Sequence, residues 1–428
     1  MNDIAEKQKR KKNMVIIGGG FAGTVLARKL ERKLPPEWRI YLLSKTNFVT
    51  FNPLLPEVVG ASVLPGHVQA PIRQMIKRTR IRMVTVDRID FENKTVHYHN
   101  EEQGELKFDQ LVFSSGVAAN MNMIDGMKEH ALPLKTVGDA LQIRKQVIER
   151  LEQASIHPNL ERRKELTKFI IIGGRFSGVE VAGEIEDFLS SAQRFYKGVK
   201  KEDCKVIILH GTDCLLPEIS KKLGKKTERI FEQRNIDVRL NARATKIEKE
   251  KVILSDGEEV HAATIVCTIG TSPHAYNQID VLPLERGKIV TEPDMSVKNL
   301  KGIWALGDCA LVPNATDGRY CPPTAQFADR QARVLAKNIL ASLQNKNTQP
   351  FSYEPIGMMA SIGHNNAVVE LVGLRLSGIL AFMLWRGAYL LKIPTFSRKA
   401  RLFLEWNWAM FFPPDIAHMG FKRTGEED

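Results

Sequence analysis

Two stretches of this chain repeat one pattern: a short unbroken apolar run, a glycine-rich turn, then a helical run. The first reads Met14-Val15-Ile16-Ile17, then Gly18-Gly19-Gly20-Phe21-Ala22-Gly23, with Val25, Leu26 and Leu30 apolar beyond it. The second reads Phe169-Ile170-Ile171-Ile172, then Gly173-Gly174-Arg175-Phe176-Ser177-Gly178, with a helix running to about Leu189. A further apolar run follows each, Ile40-Tyr41-Leu42-Leu43 and Val206-Ile207-Ile208-Leu209. Strands apolar on both faces and alternating with helices predict parallel sheets covered on both sides. With 428 residues the chain is too long for one ordinary core, so two or three units are expected.

The glycine spacing narrows what these turns do. A helix N-terminus offers unpaired N–H groups and positive dipole to a pyrophosphate. The first glycine makes the tight turn, the second lets backbone approach phosphate, and the third lets helix pack on strand. Gly18, Gly20 and Gly23 supply all three. The fold class expected is therefore α/β, with two Rossmann-like dinucleotide-binding domains. Two dinucleotides in one chain usually mean a flavin and a nicotinamide. Asp308, after Gly307 at the end of an apolar run, suits the hydroxyls of a ribityl chain. Between the repeats, Val137 to Glu165 reads as a helical crossover interrupted at Pro158, and Ala325 to Ile339 carries an amphipathic stripe.

Several motifs in order resemble one family. Ile303-Trp304-Ala305-Leu306-Gly307-Asp308-Cys309-Ala310 looks like the second flavin motif of disulfide-reductase-like flavoproteins. Phe113-Ser114-Ser115-Gly116 and Thr268-Ile269-Gly270-Thr271 look like their connecting turns. Phe51-Asn52-Pro53-Leu54-Leu55-Pro56, Gly178-Val179-Glu180-Val181-Ala182-Gly183-Glu184 and Cys321-Pro322-Pro323-Thr324-Ala325-Gln326 are similar to segments of the type II NADH:quinone oxidoreductases. The similarity runs from about Met14 to His418.

That resemblance implies an FAD site at Gly18, Gly20, Phe21, Ala22, Gly23, Ser44, Lys45, Gly116, Gly307 and Asp308. It implies an NADH or NADPH site at Gly173, Arg175, Ser177, Gly178, Glu180, His210 and Gly270, and a quinone site at Ala325, Gln326 and Arg386. Glu180 and Glu184 are implied to contact nicotinamide or deliver protons, with Gln326 on a quinone carbonyl. The implied domains are 12–118 with 284–345 for FAD, 160–275 for the nicotinamide nucleotide, and 350–428 for quinone and membrane association.

The pattern is broken in places. Arg175 stands where the second glycine of the second turn belongs. Its Cβ would crowd a pyrophosphate or, on a left-handed backbone, cost roughly 1–2 kcal/mol, although a guanidinium also clamps phosphate well. His210 replaces the acid that would hold an NAD ribose, a change that suits a 2′-phosphate or no nicotinamide. Ser44, at the matching place of the first repeat, still offers a hydroxyl to a ribose. Arg330 stands where the family has a second glutamine, with Gln331 beside it.

Charge and composition bound the partners. A formal net charge of +13 favours an anionic contact. No nucleic-acid-binding module appears, and near the C-terminus the basic residues interleave with apolar runs, so nucleic acid is not the expected partner. Leu376 to Trp385 and Leu402 to Phe412 are apolar runs too short to span a bilayer, separated by Lys392, Arg398, Lys399 and Arg401. Aromatic and cationic residues beside short apolar runs suit an interfacial contact with anionic membrane. A homodimer interface is the alternative use of that surface. Lys7, Lys9, Arg10, Lys11 and Lys12 make a basic N-terminus without an apolar signal region. Cysteines 204, 214, 267, 309 and 321 show no CxxC pair or metal spacing, so no metal is expected and a reducing compartment fits.

The expected activity is FAD-dependent, non-proton-pumping NAD(P)H:quinone oxidoreduction by a peripheral enzyme on the cytoplasmic face of the cell membrane. One alternative is quinone reduction from another donor such as sulfide, through Cys321. The other is a flavin-bearing sensor or assembly protein without turnover.

Overall fold

The computed structural model describes residues 11–418 except 275, 277 and 278; Lys7, Lys9 and Arg10 of the basic N-terminus lie outside the described residues. The chain divides into two compact units. One comprises the chain up to Thr50, Gln69–Ala118 and Thr271–Glu354; the other comprises Phe51–Val68, Ala119–Gly270 and the chain from Pro355 onward.

The first unit is built on a five-stranded parallel sheet in the order Ile303–Ala305, Gln110–Phe113, Lys12–Ile17, Trp38–Ser44, Arg80–Met83. The central strand lies between two others, so Met14, Val15 and Ile16 are fully buried, as a continuous apolar run requires. The helix Phe21–Leu30 packs against the helix Ala325–Leu343, whose stripe of Ala328, Ala332, Leu335 and Ile339 is buried as expected. An antiparallel three-stranded insert, Thr85–Asp90, Thr95–His99 and Gln103–Lys107, precedes the sheet strand at Gln110.

The second unit repeats this plan. Its parallel sheet runs Leu132–Pro133, Thr264–Cys267, Lys168–Ile172, Lys205–Leu209, Ile236–Arg239, again with the glycine-turn strand in the middle. The crossover is helical and breaks where Pro158 demands it, between Val137–Ile156 and Leu160–Leu166. Thr136 and Asp139 form a reciprocal capping box at its start.

The C-terminal part of this unit is an antiparallel sheet, Gly357–Ser361, Ala367–Leu371 and Leu374–Gly378, followed by the helices Ile379–Lys392 and Phe396–Phe411. The apolar run Leu376 to Trp385 is divided between two elements. Its first residues are strand, and Gly378, at φ +91°, turns the chain into the helix. Among the described residues no helix is long and apolar enough to cross a membrane.

Candidate functional site

The turn after Lys12–Ile17 is fixed by contacts only glycine tolerates. Gly18 has φ +108°, and a Cβ there would lie 2.4 Å from the Ser114 carbonyl oxygen. A Cβ on Gly23 would lie 2.0 Å from the carbonyl oxygen of Gly18, so helix and turn touch backbone to backbone. Gly20 is different: a Cβ there would meet nothing within 4 Å. It caps the helix Phe21–Leu30 without a side-chain hydrogen bond, which leaves the first N–H groups facing open space.

Other expected residues gather around this turn. Ser44 ends the neighbouring strand, is buried, and sits with its Oγ 2.5 Å from where a Gly19 Cβ would be. Lys45 follows it and is exposed. Gly116, at φ +67°, follows the adjacent strand and again faces open space. Gly307, at φ +75°, packs so that its Cβ would lie 3.3 Å from the Cβ of Ala22, bringing Asp308 to the same end of the sheet. The Gly307 amide donates to Oε1 of the buried Gln331 at 2.8 Å, a support sequence reasoning did not anticipate.

The second turn has the same build. Gly173 has φ +115°, and a Gly178 Cβ would lie 1.7 Å from the Gly173 carbonyl oxygen. Arg175 takes the place of Gly20, at φ −85° and ψ −174°, next to φ −73° and ψ −164° in the first turn. Its backbone is therefore extended and unstrained, which removes the left-handed alternative. The guanidinium is 70% exposed, with Nε 3.3 Å from Glu218. Ser177 is exposed in the first turn of the helix that follows, Phe176–Ala192. Gly270, at φ +82°, ends the neighbouring strand's connection under Met123.

His210 stands at the end of Lys205–Leu209 and is buried. Its Nδ1 accepts the Gly174 N–H at 3.1 Å and its Nε2 lies 2.8 Å from the Thr212 hydroxyl. Burial first, and the Arg175 charge second, hold its pKa below the usual imidazole value. The ring is a neutral prop for the turn.

Further along the second helix, Phe176–Ala192, lies a group of buried carboxyls. Glu180 accepts a hydrogen bond from the Ser361 amide at 3.3 Å, and Glu184 accepts one from the Ser62 hydroxyl at 3.1 Å. Gly60 leaves room for Glu184, since a Cβ there would lie 2.2 Å from Oε2. Glu57 completes the group and accepts the indole N–H of Trp406 at 2.9 Å. Burial pushes the Glu57 carboxyl up to about 7, while Trp406 and the Arg386 charge pull the other way. Burial also raises Glu180 and Glu184 well above the usual carboxylate value, and the Glu57 charge adds to both. Burial and mutual repulsion therefore disfavour full ionisation of the three carboxyls. Sequence reasoning stopped one residue short of Glu57. The available signal was an acid set among Leu54, Leu55, Val58 and Val59.

Arg386 stacks over the rings of Phe382 and Trp406, with its Cζ 4.4 and 5.3 Å from their centroids. Its Nε is buried without a hydrogen-bond partner among the described residues. Ala325 and Gln326 open the helix Ala325–Leu343 in the first unit, where the Gln326 amide donates to the Tyr353 hydroxyl and Arg330 lies 5.3 Å over the Tyr353 ring. Burial pushes the Cys321 thiol up to about 11 and raises Cys309 as well, so neither is a thiolate near neutrality. The final helices bury Phe382, Trp385, Leu402 and Trp406 on one side and leave Leu391, Phe396 and Phe411 exposed on the other, at 77%, 85% and 79%.

Residues 12–332 match the model of the pyridine nucleotide-disulphide oxidoreductases, and residues 356–413 match the NDH2 C-terminal domain. The chain belongs to the pyridine nucleotide-disulphide oxidoreductase family. A "Probable NADH dehydrogenase" of Dictyostelium discoideum is 29% identical to this family member over 97% of the chain and 94% of its own length. A type II NADH:quinone oxidoreductase of Mycobacterium tuberculosis is 26% identical over 93% and 88%. The solved structure of NDH2 from Plasmodium falciparum in complex with NADH has a TM-score of 0.88 at 19% identity, covering 95% of this chain and 100% of that one. The resemblance to type II NADH dehydrogenases is thus borne out, and so is the α/β fold class. This oxidoreductase is an enzyme of the type II NADH dehydrogenase-like kind.

Proposed function

We propose that this enzyme holds FAD in its first unit, accepts hydride from a reduced nicotinamide nucleotide at its second, and passes the electrons to a quinone without pumping protons. The observation that carries the proposal is the paired turns: two central strands, each ending in a positive-φ glycine and an uncapped helix start.

The first turn fits FAD, because the space a Gly20 Cβ would enter is open and the amides behind it are unused by any side-chain cap. Gly18, Gly20, Phe21, Ala22 and Gly23 would hold the pyrophosphate, Ser44 and Lys45 the adenosine ribose side, and Gly116, Gly307 and Asp308 the rest. Bound there, FAD supplies the capacity to take up two electrons and hand them on. The remaining work belongs to the chain. Gly173, Ser177, Gly178 and Gly270 present backbone to the nicotinamide nucleotide, and the exposed Arg175 guanidinium adds positive charge at the edge of that site. Glu180, Glu184 and Glu57 keep protons in a dry place beside Arg386, ready for the two that quinone reduction consumes. Gln326 in the first unit and Arg386 in the second, whose Nε has no hydrogen-bond partner among the described residues, are each donors of a kind suited to a quinone carbonyl.

The domains proposed are 12–118 with 284–345 for FAD, 160–275 for the nicotinamide nucleotide and 350–428 for quinone and membrane. The exposed apolar face of the last two helices, with Arg398, Lys399 and Arg401 nearby, supports peripheral attachment to anionic membrane, here assigned to the cytoplasmic face. The sulfide alternative is disfavoured by the raised thiols of Cys321 and Cys309.

The test is optical. Purified protein should be yellow, and NADH or NADPH without oxygen should bleach it until a quinone restores the colour. Protein that stays colourless with excess FAD overturns the proposal. Yellow protein that neither nucleotide bleaches removes the nicotinamide step.

A further inference from the structure

The end of the strand Lys205–Leu209 carries no acid. His210 is turned inward onto Gly174 and Thr212, Gly211 has no side chain, and Thr212 offers a hydroxyl. The first carboxylate along the chain is Asp213, which is ion-paired to Lys221 at 3.1 Å. Beside this edge runs the segment 241–243. The Asn241 amide donates to the Thr212 carbonyl at 3.0 Å, and the Ala242 amide donates to the His210 carbonyl at 2.8 Å. That pairing sets Arg243 against Gly211, with the Arg243 Cβ 3.7 Å from where a Gly211 Cβ would be. Arg243 is exposed, and among the described residues its guanidinium makes no hydrogen bond or ion pair. Arg175 belongs to the adjoining glycine turn and is 70% exposed, with its Nε 3.3 Å from Glu218.

In a Rossmann-like unit this edge is where the adenosine ribose lies, and an acid there binds the 2′-hydroxyl of NADH while repelling a 2′-phosphate. Here Arg243 packs beside an edge whose first three residues carry no acid, and the exposed Arg175 lies in the adjoining turn. A phosphate dianion placed between them would gain charge-assisted, fork-shaped hydrogen bonds. A bare hydroxyl would find one threonine.

We propose that the nucleotide pocket of the second unit takes a 2′-phosphorylated nicotinamide dinucleotide, NADPH, with Arg243 and Arg175 as the residues that bind its 2′-phosphate. This rests on the proposed nicotinamide site and names its substrate class. His210 contributes by withdrawing: it holds the Gly174 turn and leaves the edge uncharged.

Binding of 2′,5′-ADP and of 5′-AMP to the full-length flavoprotein isolates the phosphate, because these probes differ only there and undergo no redox chemistry. The wild-type protein should bind 2′,5′-ADP more tightly. Arg243→Ala should reduce the ratio of the two affinities about tenfold or more, the loss expected for one charge-assisted contact, and Arg243→Lys should restore part of it. Equal affinity of the wild-type protein for both probes overturns the proposal. So does a ratio that survives both Arg243→Ala and Arg175→Ala. Anaerobic bleaching by NADPH and NADH separates the two proposals. If 2′,5′-ADP is preferred and neither dinucleotide bleaches the flavin, the phosphate site stands and hydride donation falls.

Discussion

The indole of Trp406 donates its N–H to Oε2 of Glu57 at 2.9 Å, joining residues 349 positions apart in the chain. Both partners are buried, and the contact ties the last helix to the short helix Leu55–Val59. Burial raises this carboxyl above its ordinary value, and the indole bond pulls the other way.

Removing the donor is therefore costly. Trp406→Phe keeps the ring and deletes the N–H, leaving a buried acceptor without its partner. A loss of about 1–3 kcal/mol of stability is expected, read from denaturant unfolding. In Glu57→Gln the same substitution should cost less, since a neutral amide needs the indole less than a carboxylate does; equal losses in both backgrounds would mean the two residues are uncoupled.

The sign of the pH effect follows from the raised Glu57 carboxyl, about 7 in the folded chain against an ordinary 4.5. Between those values the folded state binds more protons than the unfolded one, so this group's contribution to stability falls as pH rises and levels off above about 7. Glu57→Gln removes that slope. The stability of the variant relative to wild type should rise with pH by up to about 1.4 kcal/mol per unit across the window, measured by unfolding at pH 5 to 8.

Gly20, Gly18 and Gly23 should separate binding from folding. Gly20→Ala adds a methyl to open space at an ordinary φ of −73°, so the fold should survive while flavin content falls. Gly18→Ala and Gly23→Ala drive a methyl to 2.4 and 2.0 Å from backbone oxygens, so both should lower the melting temperature. The checks are the ratio of flavin to protein absorbance and a thermal scan of each variant. A Gly20→Ala protein with full flavin content would count against the proposed site.

Cys321→Ser should leave nicotinamide-driven quinone reduction within about twofold of wild type, because a thiol raised to about 11 is scarcely ionised at neutral pH. Steady-state rates with NADH, NADPH and sulfide as donors decide it. Loss of a sulfide-driven rate in this variant would restore the rival activity.

Phe396→Glu and Leu404→Glu should weaken binding to vesicles containing anionic lipid without changing the melting temperature, since these side chains are 85% and 68% exposed and pack on little. Co-sedimentation with vesicles measures the first effect and calorimetry the second.

The sequence by itself determined the two parallel sheets and their glycine turns. Those features are local: apolar runs fix a strand's burial, and glycines at the first and last positions of each turn fix contacts that lie within a few residues or on the next strand. Pro158 ended its helix for an equally local reason, the missing N–H. The tertiary structure alone decided the carboxyl group of Glu57, Glu180 and Glu184, the orientation of His210, and the placing of Arg243 beside Gly211. Burial, and with it the protonation of an acid or an imidazole, depends on which distant segments close over it. Ser62, Ser361 and Trp406 come from three separate stretches of chain to meet those carboxyls, and no periodicity in the sequence records such a meeting.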